Sequence, residues 1–441
     1  MSNPEPGADA LADGAQRSQP PKGGGMGSPS GQMLNSGAAG GLPAPDRPAE
    51  AKAPESRTNK KRRRRRRKSK TAFTAQKQTV VTAAPTVRPV AAETIAEPML
   101  QPVLVEPRRP ELYAALDLGT NNCRLLVAIP TKPGQFRVID AFSRIVRLGE
   151  GLTATGRLQD AAMDRAVEAL KICADKLANR PVRKLRLIAT EACRSASNGP
   201  AFLERVKLET GLELEIVDRE TEARLAVSGC GPLVGHQTDA LVLFDIGGGS
   251  SEVALIDRSK RRTPRLADQI VAWTSLPVGV VSLAERFGGK HVTEAVYTAM
   301  VDDVLAMIER FERRDALGSL VAGDRFHLLG TSGTVTTLAG IHLGLERYDR
   351  RRVDGLWMDD SDVVAMTDRL RSWSFEERVA NACIGAERAD LVLAGCAILD
   401  GIRKTWPSNR MRVADRGLRE GLLTEMMSSD GAWRRNHERG N

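Results

Sequence analysis

The sequence predicts an α/β protein of two successive units facing each other across a cleft, with a long tail ahead of them. Three observations lead to this reading. Ala115 to Ile129 (ALDLGTNNCRLLVAI) and Leu243 to Ile256 (LFDIGGGSSEVALI) repeat one design about 128 residues apart: an apolar strand, an Asp, a tight glycine turn, hydroxyl or amide side chains, and a second apolar strand. After each hairpin a similar order of strands and helices follows. Composition, finally, changes near residue 110, from a Gly-, Pro-, Ala- and Ser-rich stretch to a sequence with ample apolar content for a core.

Pro107 and Pro110 stop regular structure just before the first strand, Leu112 to Asp117. The hairpin returns through Arg124 to Ile129, and Phe136 to Ile145 supplies a third strand. In Asp160 to Leu177 the residues Met163, Val167, Leu170, Cys173 and Leu177 recur at helical spacing, which predicts an amphipathic helix on the sheet. Strands at Leu185 to Ala189 and Leu214 to Val217, with a helix around Ala201 to Glu209 between them, complete the first unit. The second opens at Ala240 with its hairpin and continues with a strand near Ile270 to Thr274, a helix over Glu294 to Phe311 and a strand over Phe326 to Leu329. The expected divisions are 1–110 for tail and linker, 111–228 and 229–414 for the two units, a helix within 415–428 returning to the first unit, and a C-terminal tail over 429–441. Gly151 to Leu158 has the glycine spacing of a nucleotide-binding loop, but Arg157 and Leu158 stand where Lys and Ser or Thr belong, so it reads as a plain loop.

Each hairpin turn suits an anion. Gly119 and Gly247 to Gly249 lack a Cβ, so backbone N–H groups can approach closely, while Thr120, Asn121, Asn122, Ser250 and Ser251 add donors. Asp117 and Asp245 would be acids beside a bound phosphate, where Mg²⁺ is the usual mediator. Further blocks follow in order: IATEACRSASN (Ile188 to Asn198), IVDRETEARLA (Ile216 to Ala226), LLGTSGTVTTLAG (Leu328 to Gly340) and VADRGLREGLLTEM (Val413 to Met426). With the two hairpins, these six blocks resemble the exopolyphosphatase/guanosine pentaphosphate phosphohydrolase (Ppx/GppA) family of the actin-like and sugar-kinase superfamily. The resemblance covers roughly Glu111 to Met427.

The resemblance implies two ribonuclease-H-like domains with an interdomain cleft, and removal of a terminal phosphate by in-line attack of water. Glu222 matches the family's general base; as a lone residue it would read as a helix-start Glu stabilised by the helix dipole, and Glu220 is a near competitor. Asp117, Asp245 and Glu252 are expected on the metal side, with Mg²⁺ or another divalent cation. Gly119, Thr120, Asn121, Arg194, Gly247, Gly248, Gly249, Ser250, Gly330, Ser332 and Gly333 are expected on phosphate, Arg194 as a bidentate guanidinium. Arg124 follows the first turn, but alternation leaves its direction open. Inorganic polyphosphate is the first substrate and guanosine pentaphosphate the second. The rivals are a non-hydrolytic guanosine-phosphate sensor or RNA/polyanion-binding module, and a kinase-like phosphotransferase; a carboxylate placed as a base argues against pure binding. Longer members of the family carry a C-terminal domain like the His-Asp phosphohydrolases, whereas the five histidines here are scattered and none precedes an Asp, so the chain reads as a short form.

The tail is different in kind. Residues 1–58 have almost no large apolar side chains and read as disordered, and 79–110 as a linker. Lys60 to Lys70 (KKRRRRRRKSK) carries ten positive charges in eleven residues, which equals the net charge of +10 for the whole chain. Such a run can tether polyphosphate or RNA through counterion release, or be a solvated arm; with no aromatic residue among the arginines, base stacking is not expected there. No secretory signal or membrane span is read, so the expected location is cytoplasmic. The six cysteines have no CxxC spacing and read as buried thiols in a reducing compartment. A homodimer remains open.

Overall fold

Apolar runs interrupted by a single acid near their end suit strands covered on both faces, and the two that the sequence repeats lie inside two sheets. The computed structural model describes residues 111–434. The Gly- and Pro-rich tail, its basic run, the linker and residues 435–441 lie outside the described residues.

The first lobe comprises β1 (Leu112–Leu118), β2 (Asn122–Pro130), β3 (Phe136–Ile145), α1 (Leu152–Thr155), α2 (Asp160–Ala178), β4 (Val182–Ala189), α3 (Glu191–Ser195), α4 (Gly199–Thr210), β5 (Glu215–Ile216) and α5 (Arg219–Cys230). Its sheet has the order β3-β2-β1-β4-β5. β1 is antiparallel to β2, with Asp117 opposite Arg124, and parallel to β4, with Asp117 beside Ile188. Every β1 residue except Asp117 is buried. One face of the sheet packs Leu116, Leu118 and Leu125 against Ala166, Val167 and Leu170 of α2. The loop read over Gly151 to Leu158 contains the single helical turn α1, bounded by Gly151 (φ 73°) and Gly156 (φ 66°) in the left-handed region.

The second lobe comprises β6 (Ala240–Ile246), β7 (Ser251–Asp257), β8 (Ile270–Leu276), α6 (Val280–Phe287), α7 (Glu294–Glu309), β9 (Phe326–Thr331), α8 (Gly333–His342), α9 (Arg350–Val353), β10 (Trp357–Asp359), α10 (Asp360–Ser372), α11 (Phe375–Ala380), α12 (Val392–Thr405), β11 (Arg410–Ala414) and α13 (Leu418–Ser429). Its sheet runs β10-β11-β9-β6-β7-β8. The hairpin β6–β7 sets Asp245 opposite Glu252, and parallel β9 brings Thr331 beside Asp245. The first lobe's pattern recurs: a central strand, its hairpin partner, a third antiparallel strand, and a parallel strand on the other side.

Two helices join the lobes. Leu225 of α5 and Leu418, Leu422, Leu423 and Met426 of α13 cover the second face of the first sheet, on Tyr113, Ala115 and Leu126. The adjacent Ala226, Val227 and Cys230 of α5 face Leu241, Leu243 and Ile256 of the second sheet. α5 and α13 meet through glycines: a Cβ on Gly421 would stand 2.0 Å from the carbonyl oxygen of Leu225, and one on Gly229 2.0 Å from that of Gly417. α13 therefore packs on the first lobe although it follows the last strand of the second. The divide drawn at residue 228 falls within α5.

Some features differ from the sequence reading. Residues 430–434, expected in a free tail, continue the packing: Ala432 is buried, and Trp433 Nε1 donates to the carbonyl of Gln135 at 2.9 Å. β10 and β11 were not expected, because Arg410 and Arg412 make β11 look like a loop; their guanidiniums instead lie over the ring of Trp357 on β10, at 4.6 and 4.9 Å. All six cysteines are buried and free. Among the described residues no helix is long and apolar enough to cross a membrane.

Candidate active site

The two glycine turns have the same hydrogen bond at their base. Gly119 N–H donates to Asn122 O, and Gly247 N–H to Ser250 O, each at 2.9 Å. The first turn is tied down by its carbonyls: Asn121 O accepts from the N–H groups of Val146 and Arg147, and Thr120 O from that of Gly149. In the second, the carbonyls of Gly247 and Gly248 accept from Val280 and Val281 at the start of α6, at 3.0 and 2.8 Å. The tips nearly touch. A Cβ on Gly248 would lie 2.9 Å from Thr120 Cβ and 3.2 Å from Asn121 N, and one on Gly249 2.9 Å from Thr120 Oγ1. The absence of side chains at Gly248 and Gly249 thus lets the hairpins approach one another.

Around these tips lies a cavity of about 680 Å³, lined from both lobes. Of the expected site residues, Asp117, Gly119, Thr120, Asn121, Glu222, Asp245, Gly247, Gly248, Gly249, Ser250, Glu252, Ser332 and Gly333 line it. Gly330 does not: a Cβ there would strike the Phe244 ring at 2.5 Å, so its role is to let β9 pack. Arg194 is also absent from the wall. Its guanidinium is engaged by Glu191 Oε2 (Nη2, 2.5 Å), Val217 O (Nη1, 2.5 Å) and Glu222 Oε2 (Nη2, 3.1 Å), so it holds the candidate base instead of facing phosphate.

Glu222 reaches the cavity because α5 begins where it does. Asp218 caps that helix, its carboxylate accepting from Thr221 N–H at 2.7 Å, and Glu222 follows on the first turn. Glu220 is exposed and outside the wall, which separates it from Glu222. Burial and the neighbouring Glu252 push the carboxyl of Glu222 well above the usual range, against the opposing pull of Arg194. Burial raises Asp117 and Glu252 as well, and burial with repulsion from Glu252 and Asp117 pushes Asp245 to about 7. Ser250 and Ser275 both donate to Glu252 Oε1, at 2.7 and 2.9 Å.

Four half-buried or buried acids that resist ionisation in one cavity have the donor chemistry of a hard-cation site. Among the described residues no three His, Cys, Asp or Glu side chains converge tightly enough to form a metal cage. The arrangement fits Mg²⁺ held by one or two of Asp117, Asp245 and Glu252, the remaining ligands being water and substrate oxygens.

Several polar groups point to a further ligand. Asn121 Oδ1, Asn122 Oδ1 and Ser332 Oγ are buried without a hydrogen-bond partner, and all three residues line the cavity. Ser332 holds φ 89° at the N-cap of α8, an unusual conformation for a residue with a side chain. The guanidiniums of three lining arginines, Arg124, Arg388 and Arg419, make no hydrogen bond or ion pair among the described residues. Sequence reasoning left Arg124 open and missed the other two, together with Glu191. Arg388 follows an irregular segment with no periodic signal, and Arg419 sits on the first turn of a helix, where a charge reads as solvated.

The model of the Ppx/GppA phosphatase family matches residues 128–430. The chain belongs to that family. The Ppx/GppA match begins within β2, so the first turn is assigned by its place in the fold. The guanosine-5'-triphosphate,3'-diphosphate pyrophosphatase of Photobacterium profundum is 29% identical over 333 residues, or 72% of this chain, which spans 59% of that relative. A Ppx/GppA structure from Aquifex aeolicus is 27% identical with a TM-score of 0.59, covering 73% of this chain and 99% of that one. An exopolyphosphatase from Cytophaga hutchinsonii, 24% identical with a TM-score of 0.64 over 72% of this chain and 98% of its own, shares the fold.

Proposed function

We propose that the protein hydrolyses the terminal phosphoanhydride of a chain phosphate, with inorganic polyphosphate as first substrate and orthophosphate as product. The observation that carries this reading is one cavity combining a half-buried carboxylate, Glu222, with three guanidiniums that have no partner among the described residues. Arginines left unpaired in a half-buried wall call for an anion of several charges. The N–H groups of the two turns that no carbonyl engages, with the Thr120 hydroxyl, hold the terminal phosphoryl group, since Gly119 N–H, Gly247 N–H and the Ser250 hydroxyl donate to Asn122 O, Ser250 O and Glu252 Oε1. Glu222, oriented by Arg194, takes a proton from the attacking water. Closure of the hairpins over the reacting group limits bulk water, which strengthens each of these contacts. A bound Mg²⁺ would offset the negative charge on the phosphate oxygens.

Guanosine pentaphosphate is the second reading, favoured by the likeness to the guanosine-5'-triphosphate,3'-diphosphate pyrophosphatase of Photobacterium profundum. Both substrates present a terminal phosphoanhydride, and the residues above serve either. Initial rates of phosphate release from long polyphosphate, tripolyphosphate and guanosine pentaphosphate, at one Mg²⁺ concentration, separate the readings. The expected order puts polyphosphate first. A higher kcat/KM for guanosine pentaphosphate reverses it, and no release from any of the three removes the reading. A parallel assay with a sugar or carboxylate acceptor tests the phosphotransferase rival.

A further inference from the structure

Glu191 lines the cavity, yet the hydrolytic step above makes no use of it. It is the first residue of α3, is buried, and receives five hydrogen bonds from protein donors. Oε1 accepts from Ser195 Oγ and from Arg219 Nη2 at 2.9 Å. Oε2 accepts from Arg194 Nη2 at 2.5 Å and Nε at 3.2 Å, and from Arg219 Nε at 3.3 Å. A carboxylate has about four lone-pair sites, so none is left here for a cation or a water. The stem of the side chain is held too: a Cβ on Gly249, at the tip of the second turn, would stand 3.2 Å from Glu191 Cγ.

What Glu191 holds is the guanidinium that meets the base. Arg194 gives Nε and one Nη2 proton to Glu191, Nη1 to Val217 O at 2.5 Å, and its remaining Nη2 proton to Glu222 Oε2 at 3.1 Å. Glu222 makes no other side-chain hydrogen bond among the described residues, so its Oε1 is free of protein donors. Without Glu191, the Arg194 fork could close on both oxygens of Glu222, the geometry that an Arg–carboxylate pair prefers. A base bound on both oxygens has none left to receive the proton of an attacking water.

We infer that Glu191 is a positioning residue for the base: it keeps the Arg194 guanidinium divided between two carboxylates, so that Glu222 takes one hydrogen bond and retains a free oxygen for the attacking water. This rests on the reading of Glu222 as the base. The saturated carboxylate of Glu191 touches no reacting atom and acts through Arg194. Ser195 and Arg219 fix it from α3 and α5, and its contact with Gly249 sets it beside the second glycine turn, so the base and that turn share one support.

The test uses the full chain carrying Glu191→Gln, Arg194→Lys, both together, and Glu222→Gln. Each is assayed well below its melting temperature, for kcat and KM, on whichever of the three substrates above the wild type cleaves fastest. Glutamine keeps the shape of Glu191 without its charge, and lysine keeps the charge of Arg194 without its fork. Loss of a charge-assisted hydrogen bond predicts a kcat about tenfold or more lower for Glu191→Gln and for Arg194→Lys, with KM within about twofold of wild type. The double variant should lose no more than about twofold beyond the larger single loss, because both changes break the same link. Losses that multiply, a raised KM with unchanged kcat, or wild-type kcat for Glu191→Gln would each overturn the inference. Should Glu191→Gln not fold, Arg194→Lys decides alone, since it preserves the charge: wild-type kcat there means that no divided guanidinium is needed. Near-wild-type turnover of Glu222→Gln would instead end the base reading, whereas a large loss there beside wild-type kcat for Glu191→Gln ends only the role of Glu191.

Discussion

Glu222 can serve as a base because its surroundings resist its ionisation, burial and Glu252 outweighing the single bond from Arg194. A base must be ionised to act, so activity should rise with pH through this raised range, later than an exposed Glu would allow. Glu222→Gln should keep the fold and ligand binding but lower phosphate release roughly 10²-fold or more. Melting temperature and turnover measured together check it, and near-wild-type turnover would take Glu222 out of the mechanism. Asp117, Asp245 and Glu252 were legible in the sequence because each stands at a fixed step from a glycine turn, and Glu222 because its block resembles the family's, whereas Glu191 was not. Arg388 and Arg419 were not, since only tertiary packing shows that a charge lacks a partner. His327, outside the cleft, gives a separate pH test. It is 1% exposed, both ring nitrogens lack partners, and it packs edge-on to Trp357 at 4.9 Å. Burial and three nearby arginines lower its pKa from 6.5 to about 3. The unfolded chain therefore binds the extra proton between these values, so this contribution to stability is complete above pH 6.5 and is lost as pH falls toward 3. The loss is about 1.4 kcal/mol per pH unit inside the window. His327→Phe keeps the ring contact, and its melting temperature should fall less between pH 7 and pH 5 than that of the wild type. Parallel curves would show that His327 does not set this slope.

Among the elements, the α5–α13 contact decides whether the cleft has its full set of residues, because α5 carries Glu222 and α13 carries Arg419 and Glu420. The Leu225 carbonyl occupies the space a Cβ on Gly421 would need. Gly421→Ala should therefore cost about 1–3 kcal/mol or more, the range for overpacking, and lower melting temperature and kcat together. An unchanged melting temperature would mean that the helices can separate without consequence. Gly248→Ala acts across the cleft: its Cβ meets Thr120 on the facing hairpin, so the tips must part and activity should fall with little change in stability. Thr120→Gly removes the Cβ at 2.9 Å together with a phosphate donor, so alone it should also lower the rate, but the double variant should lose less than the two single losses combined; strict additivity would show that the tips do not meet in the working enzyme. The hairpins and their following strands were legible because apolar runs, an Asp and a glycine turn recur at one spacing. β10 and β11 were not, because a short strand whose arginines stack on a tryptophan has the composition of a loop. α13 was legible as a helix, but its tight approach to α5 depends on glycines 192 positions apart, Gly229 and Gly421, whose meeting no local pattern records.

At the scale of the whole molecule, charge is divided unevenly along the chain. The ten cations of Lys60 to Lys70 equal its net charge of +10, while the region bearing the fold is close to neutral. All residues assigned to the cavity lie between Asp117 and Glu420, so deletion of residues 1–109 should leave a folded core that still cleaves tripolyphosphate. A long polyanion is different, because it carries phosphates enough for the ten cations of the basic run as well as for the cavity. Each phosphate neutralised by the run releases counterions, so that affinity weakens steeply with salt, whereas a substrate a few phosphates long has little charge left to neutralise. Deletion should accordingly raise the apparent KM for long polyphosphate at low ionic strength and leave that for tripolyphosphate unchanged. The gap between full-length and truncated protein should shrink as salt shortens the screening length from about 30 Å at 0.01 M to about 8 Å at 0.15 M. KM for both substrates, with both proteins, at these two ionic strengths decides the point. If the four pairs of values agree within error, the arginine run is not a substrate tether, and a gel-shift with a non-substrate RNA then tests whether it serves another polyanion.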